Sequence, residues 1–148
     1  PYQFPEKFIP KSIMKISLNK SVEIYGNGKN IRNWIYVEDT VEAIIKIMRI
    51  GKLNNIYNIS SFNLISNNNL IKKIFKYMQI KKMNIKFVSD RPGHDRKYSS
   101  DSKKLRKLGW KEKYSFDQGI KKTISWYLKS ENLKQFNTKK INLKRLGK

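Results

Sequence analysis

The chain has 148 residues, enough for one domain with a hydrophobic core, and its start at Pro1 in place of Met predicts a piece of a longer protein. It lacks cysteine, which excludes disulfides and thiolate metal sites and fits a cytoplasmic location, and no apolar run approaches the roughly 20 residues that span a bilayer. The net charge of +22 attracts polyanions, but lysines spread over every predicted helix indicate a composition bias more than a nucleic-acid patch.

The first part of the chain alternates between helix and strand patterns. Residues 6–19 predict a helix, with Pro10 near its first turn, where proline is tolerated. Residues 22–25 alternate like a strand, 26–30 form a glycine turn, and 31–37 are a second extended run. A dinucleotide-binding turn needs a third glycine and a following helix, both of which are missing here. The sequence therefore predicts a hairpin turn.

A second helix is predicted to begin near Glu38 and to end at Gly51. Its apolar residues recur at the spacing of a helix face that packs on a core. These residues are Val41, Ile44, Ile45 and Met48. Residues 55–59 then predict a short strand.

The remaining elements continue the alternation. Asn67 is predicted to cap a helix that runs to about residue 78, and 84–88 predict a strand. A short helix is predicted from Asp101, and Ser115 with Gln118 has the pattern of a capping box for the last helix. Short strands that alternate with amphipathic helices indicate a mixed α/β fold.

Two domain-level predictions follow from this pattern. Residues 1–129 are expected to form one folded unit. Residues 130–148, where the apolar pattern thins and lysine dominates, are expected to form a basic, disordered tail.

The loop at residues 90–96 has the strongest chemical signal. Pro92 restricts the backbone of Arg91, and Gly93 can adopt angles closed to other residues, so Arg91 and His94 are aimed in set directions. A guanidinium group held in this way suits an anion such as a phosphate. The alternative is a surface turn whose charges pair with one another. No metal-ligand spacing and no nucleophilic triad are visible in the chain.

Several segments, taken together and in order, resemble the C-terminal, substrate-binding half of the dTDP-glucose 4,6-dehydratase family, which belongs to the extended short-chain dehydrogenase/reductases. The most specific are Phe-Pro-Glu-Lys at 4–7 and Asp-Arg-Pro-Gly-His-Asp-Arg at 90–96. The others lie at 24–28, 31–39, 57–59, 108–110, 119–123 and 126–128.

The resemblance implies a lyase that converts dTDP-glucose to dTDP-4-keto-6-deoxyglucose and water. In this family NAD takes a hydride from the sugar and later returns it. The NAD-binding Rossmann domain and the catalytic residues belong to an N-terminal half that this chain lacks, so no catalytic residue and no metal site is expected here. The chain alone should be inactive. The full-length protein should be a homodimer with no membrane partner and no specific nucleic-acid partner.

The resemblance also assigns a substrate-binding role to individual positions. Arg32 and Arg91 match the two arginines that grip the diphosphate, and His94 matches a histidine that lines the same pocket. The other matched positions lie near the base or the sugar nucleotide. They are Lys7, Phe8, Glu23, Ile24, Tyr25 and Asn67.

The chain also departs from the family pattern. Ser60 and Ser61 stand where the family usually has glycines, which puts the path of that loop in question. Two other functions stay open at this point. One is a related nucleotide-sugar epimerase or decarboxylase, and the other is a basic nucleic-acid-binding module.

Overall fold

The computed structural model describes residues 1–90, 92–129 and 131–132. Its helices are α1 (Phe8–Ser17), α2 (Val37–Ile50), α3 (Asn67–Tyr77), α4 (Lys103–Arg106) and α5 (Phe116–Leu128). Its strands are β1 (Val22–Tyr25), β2 (Ile31–Asn33), β3 (Leu64–Ser66) and β4 (Ile85–Val88). The predicted mixed α/β fold is confirmed. The tail predicted at 130–148 lies outside the described residues except for Glu131 and Asn132.

The strands form two separate pairs. β1 runs parallel to β4, with Ile24 opposite Phe87, whereas β2 runs antiparallel to β3, with Arg32 opposite Ile65. The predicted hairpin between β1 and β2 is therefore wrong, although a tight turn does separate them.

The start of α3 holds this turn and sends the chain away from β1. The Asn68 N–H donates to the Gly28 carbonyl at 3.0 Å, and the Asn68 side chain donates to the Asn27 carbonyl at 2.8 Å. Gly28 has φ +67°, and a Cβ atom there would lie 2.0 Å from Asn68 Oδ1. A side chain at residue 28 would push the turn off α3, so glycine is required at this position.

The main core lies where α1, α3 and α5 pack around β1. Its members are apolar side chains that are almost fully buried. They include Ile13, Ile24, Leu70, Ile74, Ile124 and Tyr127. The Tyr127 hydroxyl donates to the Gln3 carbonyl at 2.9 Å, which ties the end of the chain's last described helix to its first residues. A smaller cluster of Ala43, Leu105 and Trp110 lies beneath α2.

The helix caps confirm one prediction and correct another. Ser115 and Gln118 form the predicted capping box at the start of α5. The cap of α3, however, is Ser66 and not Asn67: the Ser66 hydroxyl accepts a hydrogen bond from the Asn69 N–H at 3.2 Å. Both residue types are good caps. The β2–β3 pairing extends through Ser66 and keeps this residue extended, as an N-cap requires, so that the helix starts at Asn67, one residue earlier than predicted.

The apolar face of α2 does not pack as predicted. Val41, Ile44, Ile45 and Met48 are 48%, 45%, 39% and 79% exposed, and the buried residues of this helix are Asp39 and Ala43. The strand predicted at 55–59 is also wrong, since no strand forms there. A strand needs a hydrogen-bonded neighbour, and none of the described strands pairs with this segment. No helix among the described residues is long and apolar enough to cross a membrane.

Candidate functional site

A cavity of about 560 Å³ opens between α1, β1, β2, the start of α3 and the segment around residues 94–98. Among the nine predicted site residues, seven line this cavity although they are far apart in the chain. They are Lys7, Phe8, Glu23, Tyr25, Arg32, Asn67 and His94. Ile24 does not line it, because alternation along β1 turns its side chain into the core, where it is 1% exposed. Arg91 lies outside the described residues.

Arg32 projects from β2 and is held in a defined orientation. Its guanidinium carbon lies 4.3 Å from the ring centre of Tyr98, and its Nη1 donates to the Ile31 carbonyl at 2.9 Å. The chain around Tyr98 is fastened to the same strand: the Ile31 N–H donates to the Arg96 carbonyl at 2.8 Å, and the Tyr98 N–H donates to the Ile31 carbonyl at 3.1 Å. The ring and the strand therefore orient one face of the guanidinium group and leave further donors for a ligand.

His94 lies at the cavity with its side chain 6% exposed and its Nδ1 2.5 Å from Asp90 Oδ1. Asp95 accepts a hydrogen bond from the Tyr98 hydroxyl, also at 2.5 Å. The two acidic side chains of this loop, Asp90 and Asp95, therefore have partners within or just beside the loop, in part as the surface-turn alternative predicts. The Asp90 contact orients the imidazole ring beside the cavity.

The wall formed by α1 and β1 carries a cluster of three charged side chains. Glu23 lies between Lys15 at 2.9 Å and Lys11 at 3.1 Å, with one carboxylate oxygen facing each ammonium group. Burial opposes the ionised form of Glu23, but hydrogen bonds from Lys15 and Lys11 outweigh it and hold the pKa of this carboxyl below its usual value. The carboxylate is therefore charged at neutral pH.

The cavity also contains residues that the sequence interpretation missed. Lys11, Ser12, Lys15, Trp34 and Tyr98 all line it. The lysines have a signal in the sequence, because Lys7, Lys11 and Lys15 are spaced four residues apart and so share one side of α1. The contribution of Tyr98 has no comparable signal, since it depends on the pairing of its segment with β2.

Ser60 and Ser61, where the resemblance leads us to expect glycines, hold their loop in place through hydrogen bonds. The Ser61 hydroxyl donates to the Trp34 carbonyl at 2.6 Å, and the Ser61 N–H donates to Asn33 Oδ1 at 2.8 Å. The Ser60 hydroxyl donates to the Ser100 carbonyl at 2.8 Å. Both serines are buried. The loop therefore has a defined path, because the Ser61 side chain is bonded to the residue that follows β2 and the Ser60 side chain to the segment at Ser100.

Asp39, the last residue of the segment 31–39 that contributes to the resemblance, has a structural role. It is 1% exposed, and its carboxylate accepts hydrogen bonds from the backbone N–H groups of Lys113 at 2.8 Å and Tyr114 at 3.4 Å. A second cavity beside it measures only about 50 Å³, close to the size of one or two water molecules. Burial and the nearby Glu38 raise the pKa of Tyr36, at the edge of this cavity, to about 12.

The large cavity has the chemistry of an anion site with an added polar wall. Its described lining contains four cationic side chains and two carboxylates, which suits a ligand with about two negative charges. No group of three potential metal ligands occurs among the described residues. A dinucleotide site needs a glycine turn that leads into a helix, whereas Gly26 and Gly28 lead into β2. The residues described here therefore do not fit NAD.

Comparison with known proteins shows which family the chain matches and how much of its relatives it covers. The model of a family described as GDP-mannose 4,6 dehydratase matches residues 1–123. The dTDP-glucose 4,6-dehydratase of Escherichia coli is 41% identical over 140 residues, which cover 89% of this chain and 39% of that protein. The chain thus spans about two fifths of the length of this curated relative.

Solved structures of two dTDP-glucose 4,6-dehydratases also match the chain. The dTDP-glucose 4,6-dehydratase of Bacillus anthracis in complex with NAD superimposes with a TM-score of 0.83 at 36% identity, covering 88% of this chain and 42% of that one. The enzyme DesIV of Streptomyces venezuelae, a dTDP-glucose 4,6-dehydratase with NAD and TYD bound, gives 0.85 at 30% identity, covering 90% and 42%.

Proposed function

Because the chain belongs to the GDP-mannose 4,6-dehydratase family, we propose that it is the substrate-binding part of a dTDP-glucose 4,6-dehydratase. The whole enzyme would convert dTDP-glucose to dTDP-4-keto-6-deoxyglucose and water. The observation that carries this proposal is the cavity in which Arg32, His94 and Asn67 meet, although they come from three separate segments of the chain. The identity of 36% and 41% to dehydratases named for this substrate supports the choice of dTDP-glucose.

Arg32 would hold the diphosphate, together with Arg91. Charge-assisted hydrogen bonds contribute roughly 1.5–3 kcal/mol each, and two guanidinium groups from separate segments would fix the orientation of the diphosphate. Asn67, which is not used as a helix cap, would offer its amide to the nucleotide. Binding energy from these remote contacts would position the sugar for chemistry elsewhere in the enzyme.

The remaining three fifths of the relatives' length would supply NAD binding and the catalytic groups. The apolar face of α2 would be the surface on which that remaining part of the enzyme docks. Met48 is 79% exposed at this face, and Ile56, in the segment that forms no strand, is 83% exposed. An apolar stripe of this kind next to an unpaired segment is typical of an interface, and a sheet continuing from the missing part would cover both.

The assembled enzyme would be a cytoplasmic homodimer. Residues 1–129 would be its substrate-binding domain and 130–148 a basic tail. Sedimentation of the full-length protein tests the oligomeric state, since a monomer at micromolar concentration would contradict the dimer.

The decisive experiment joins this chain to its N-terminal half and assays the product from dTDP-glucose. We expect a 4-keto-6-deoxy sugar nucleotide, which separates a dehydratase from an epimerase or a decarboxylase. Arg32→Ala and Arg91→Ala should each raise KM about ten- to a hundredfold, the loss expected from one charge-assisted contact. Arg96→Ala is the matched control, because Arg96 is exposed and does not line the cavity. An unchanged KM in both variants would contradict the assignment.

A further inference from the structure

The parallel strands β1 and β4 end side by side next to the cavity. Tyr25, the last residue of β1, lines the cavity and pairs with Val88, the last residue of β4. The Gly26 N–H extends this pairing by donating to the Val88 carbonyl at 2.9 Å. Because the two strands run in the same direction, the residues that follow them, Gly26 on one side and Asp90 on the other, are brought together at this edge.

The Asp90 side chain lies directly against Gly26. A Cβ atom at residue 26 would lie 2.6 Å from Asp90 Oδ2 and 2.9 Å from Asp90 Cγ, distances too short for a real side chain. Gly26 also has φ +56°, a backbone conformation that glycine adopts far more readily than other residues. The absence of a side chain at residue 26 therefore leaves the space that the Asp90 carboxylate occupies.

The other oxygen of this carboxylate contacts His94. Asp90 Oδ1 lies 2.5 Å from His94 Nδ1, and the imidazole ring lines the cavity with its side chain 6% exposed. A carboxylate only accepts hydrogen bonds, so Nδ1 is the donor of this pair. Nε2 is then the ring nitrogen that is left for a molecule in the cavity.

We propose that Asp90 is a positioning residue of the substrate-binding cavity, that Gly26 makes room for it, and that it holds His94 so that Nε2 contacts the bound sugar nucleotide. This inference rests on the proposed function of the same cavity. Neither Gly26 nor Asp90 lines the cavity itself, so we expect both to act through the imidazole ring that Asp90 orients.

The physical reason is preorganisation of the ring. An imidazole ring without a fixed partner rotates about its side-chain bonds and can carry its hydrogen on either nitrogen, so a substrate would have to select one arrangement on binding. The Asp90 contact makes this selection before the substrate arrives. Its loss should therefore weaken substrate binding and leave the rate of the chemical step, which takes place elsewhere in the enzyme, unchanged.

The test uses the full-length enzyme and the variant Asp90→Ala. We expect the KM for dTDP-glucose and the Kd for dTDP to rise about three- to tenfold, with kcat within about twofold of the parent enzyme. Asp95→Ala is the matched control, because Asp95 is an exposed carboxylate next to His94 that bonds to Tyr98 and does not line the cavity. Its KM should stay within about twofold of the parent value.

Two substitutions at His94 test which ring nitrogen faces the substrate. The amide of His94→Asn reaches the place of Nδ1 and can still donate to Asp90, whereas the amide of His94→Gln reaches the place of Nε2. We expect His94→Asn to raise KM about tenfold and His94→Gln to raise it about threefold or less. Equal effects or the reverse order would overturn the inference, because the substrate would then not depend on the Nε2 side of the ring.

A double-mutant cycle shows whether Asp90 acts through His94. The His94→Asn enzyme has already lost the substrate contact, so adding Asp90→Ala to it should not raise KM further. If the effects of the two substitutions multiply instead, Asp90 influences binding by another route and the inference is wrong.

Gly26→Ala disturbs the same contact from the other side. It should raise KM about as much as Asp90→Ala does, and the double variant should not exceed Asp90→Ala alone, because the carboxylate that a side chain displaces is gone. Gly109→Ala is the matched control for backbone strain: Gly109 has φ +77°, and a Cβ atom there would meet only the end of the Lys46 side chain, at 3.4 Å. Its KM should not change.

The outcomes separate this inference from the proposed function. If the parent enzyme makes no 4-keto-6-deoxy product, the proposed function fails. If it makes the product and Asp90→Ala leaves KM and the Kd for dTDP unchanged, only the positioning role of Asp90 is overturned. If Gly26→Ala does not fold, the variants at Asp90 and His94 decide.

Discussion

Asn33 and Ser61 are joined by two reciprocal hydrogen bonds across the end of β2. Asn33 Nδ2 donates to the Ser61 carbonyl at 2.5 Å, and the Ser61 N–H donates to Asn33 Oδ1 at 2.8 Å. The pair connects the strand that carries Arg32 to the loop that contains Ser60 and Ser61. The position of Arg32 therefore depends on an amide side chain one residue farther along the strand.

Asn33→Ala should lower the free energy of unfolding by about 1–3 kcal/mol, because it leaves a carbonyl and an N–H of a buried residue without partners. Urea unfolding followed by circular dichroism measures the change. Asn55→Ala is the matched control, since the Asn55 side chain makes an exposed local hydrogen bond to the Leu53 carbonyl. Equal effects of the two substitutions would show that the reciprocal hydrogen bonds contribute no more to the free energy of unfolding than an exposed local one does.

The ring of Tyr98 should matter for substrate binding more than its hydroxyl. Tyr98→Leu removes the face over which the Arg32 guanidinium group lies, a contact worth about 0.5–1 kcal/mol at partly exposed sites, so KM should rise about two- to fivefold. Tyr98→Phe keeps the face and loses the hydrogen bond to Asp95, so its KM should stay near that of the parent enzyme. The prediction fails if the phenylalanine variant is as impaired as the leucine variant.

The ion pair of Glu112 and Arg106 predicts a pH dependence of stability. The two side chains are 2.6 Å apart and largely buried. Burial opposes ionisation of Glu112, but the hydrogen bond from Arg106 outweighs it and lowers the pKa of this carboxyl below its usual 4.5. A carboxyl whose pKa falls on folding contributes stability that is complete above its unfolded pKa and is lost as the pH drops through the folded value.

Glu112→Gln should therefore cost about 1–3 kcal/mol at neutral pH, and the difference from the parent protein should shrink as the pH falls below 4.5. Urea unfolding at several pH values measures this trend. Glu42→Gln is the control, because its partner Lys113 and Glu42 itself are more than half exposed. A difference between Glu112→Gln and the parent protein that does not depend on pH would contradict the assignment.

Local sequence signals predicted much of the fold. The apolar spacing of α1, α3 and α5, the alternation of β1 and the capping box at Ser115 are properties of a few neighbouring residues, and the structure confirms them. The pairing of strands is not local. The turn at Gly28 resembles a hairpin in sequence, but in the fold it is bonded to Asn68 on α3, and β2 pairs with β3 in place of β1.

In the candidate site, too, features of single positions could be predicted, whereas contacts between distant segments could not. Resemblance to a family indicated positions such as Arg32 and His94 one by one, and the structure brings them to one cavity. The ion-paired wall needed the register of α1 against β1, which places Lys11 and Lys15 on either side of Glu23. Spacing along α1 hints at the lysines, but nothing in the sequence predicts that their shared partner is Glu23.

The last prediction concerns the exposed apolar face of α2 and tests whether the rest of the enzyme packs against this face. Met48→Lys should leave the stability of the 148-residue chain within about 0.5 kcal/mol and reduce its binding of hydrophobic dyes, since Met48 is 79% exposed in it. In the full-length enzyme the same change should cost about 1–3 kcal/mol, because it places a charge in an apolar contact.

Leu18→Lys is the control for Met48→Lys on the apolar face of α2. Leu18 is also apolar and partly exposed, at 40%, but it lies at the end of α1. Its substitution should have the same small effect in the chain and in the full-length enzyme. If Met48→Lys is equally harmless in both proteins, the α2 face is not the surface on which the rest of the enzyme docks, and that contact must be sought on another face of this chain.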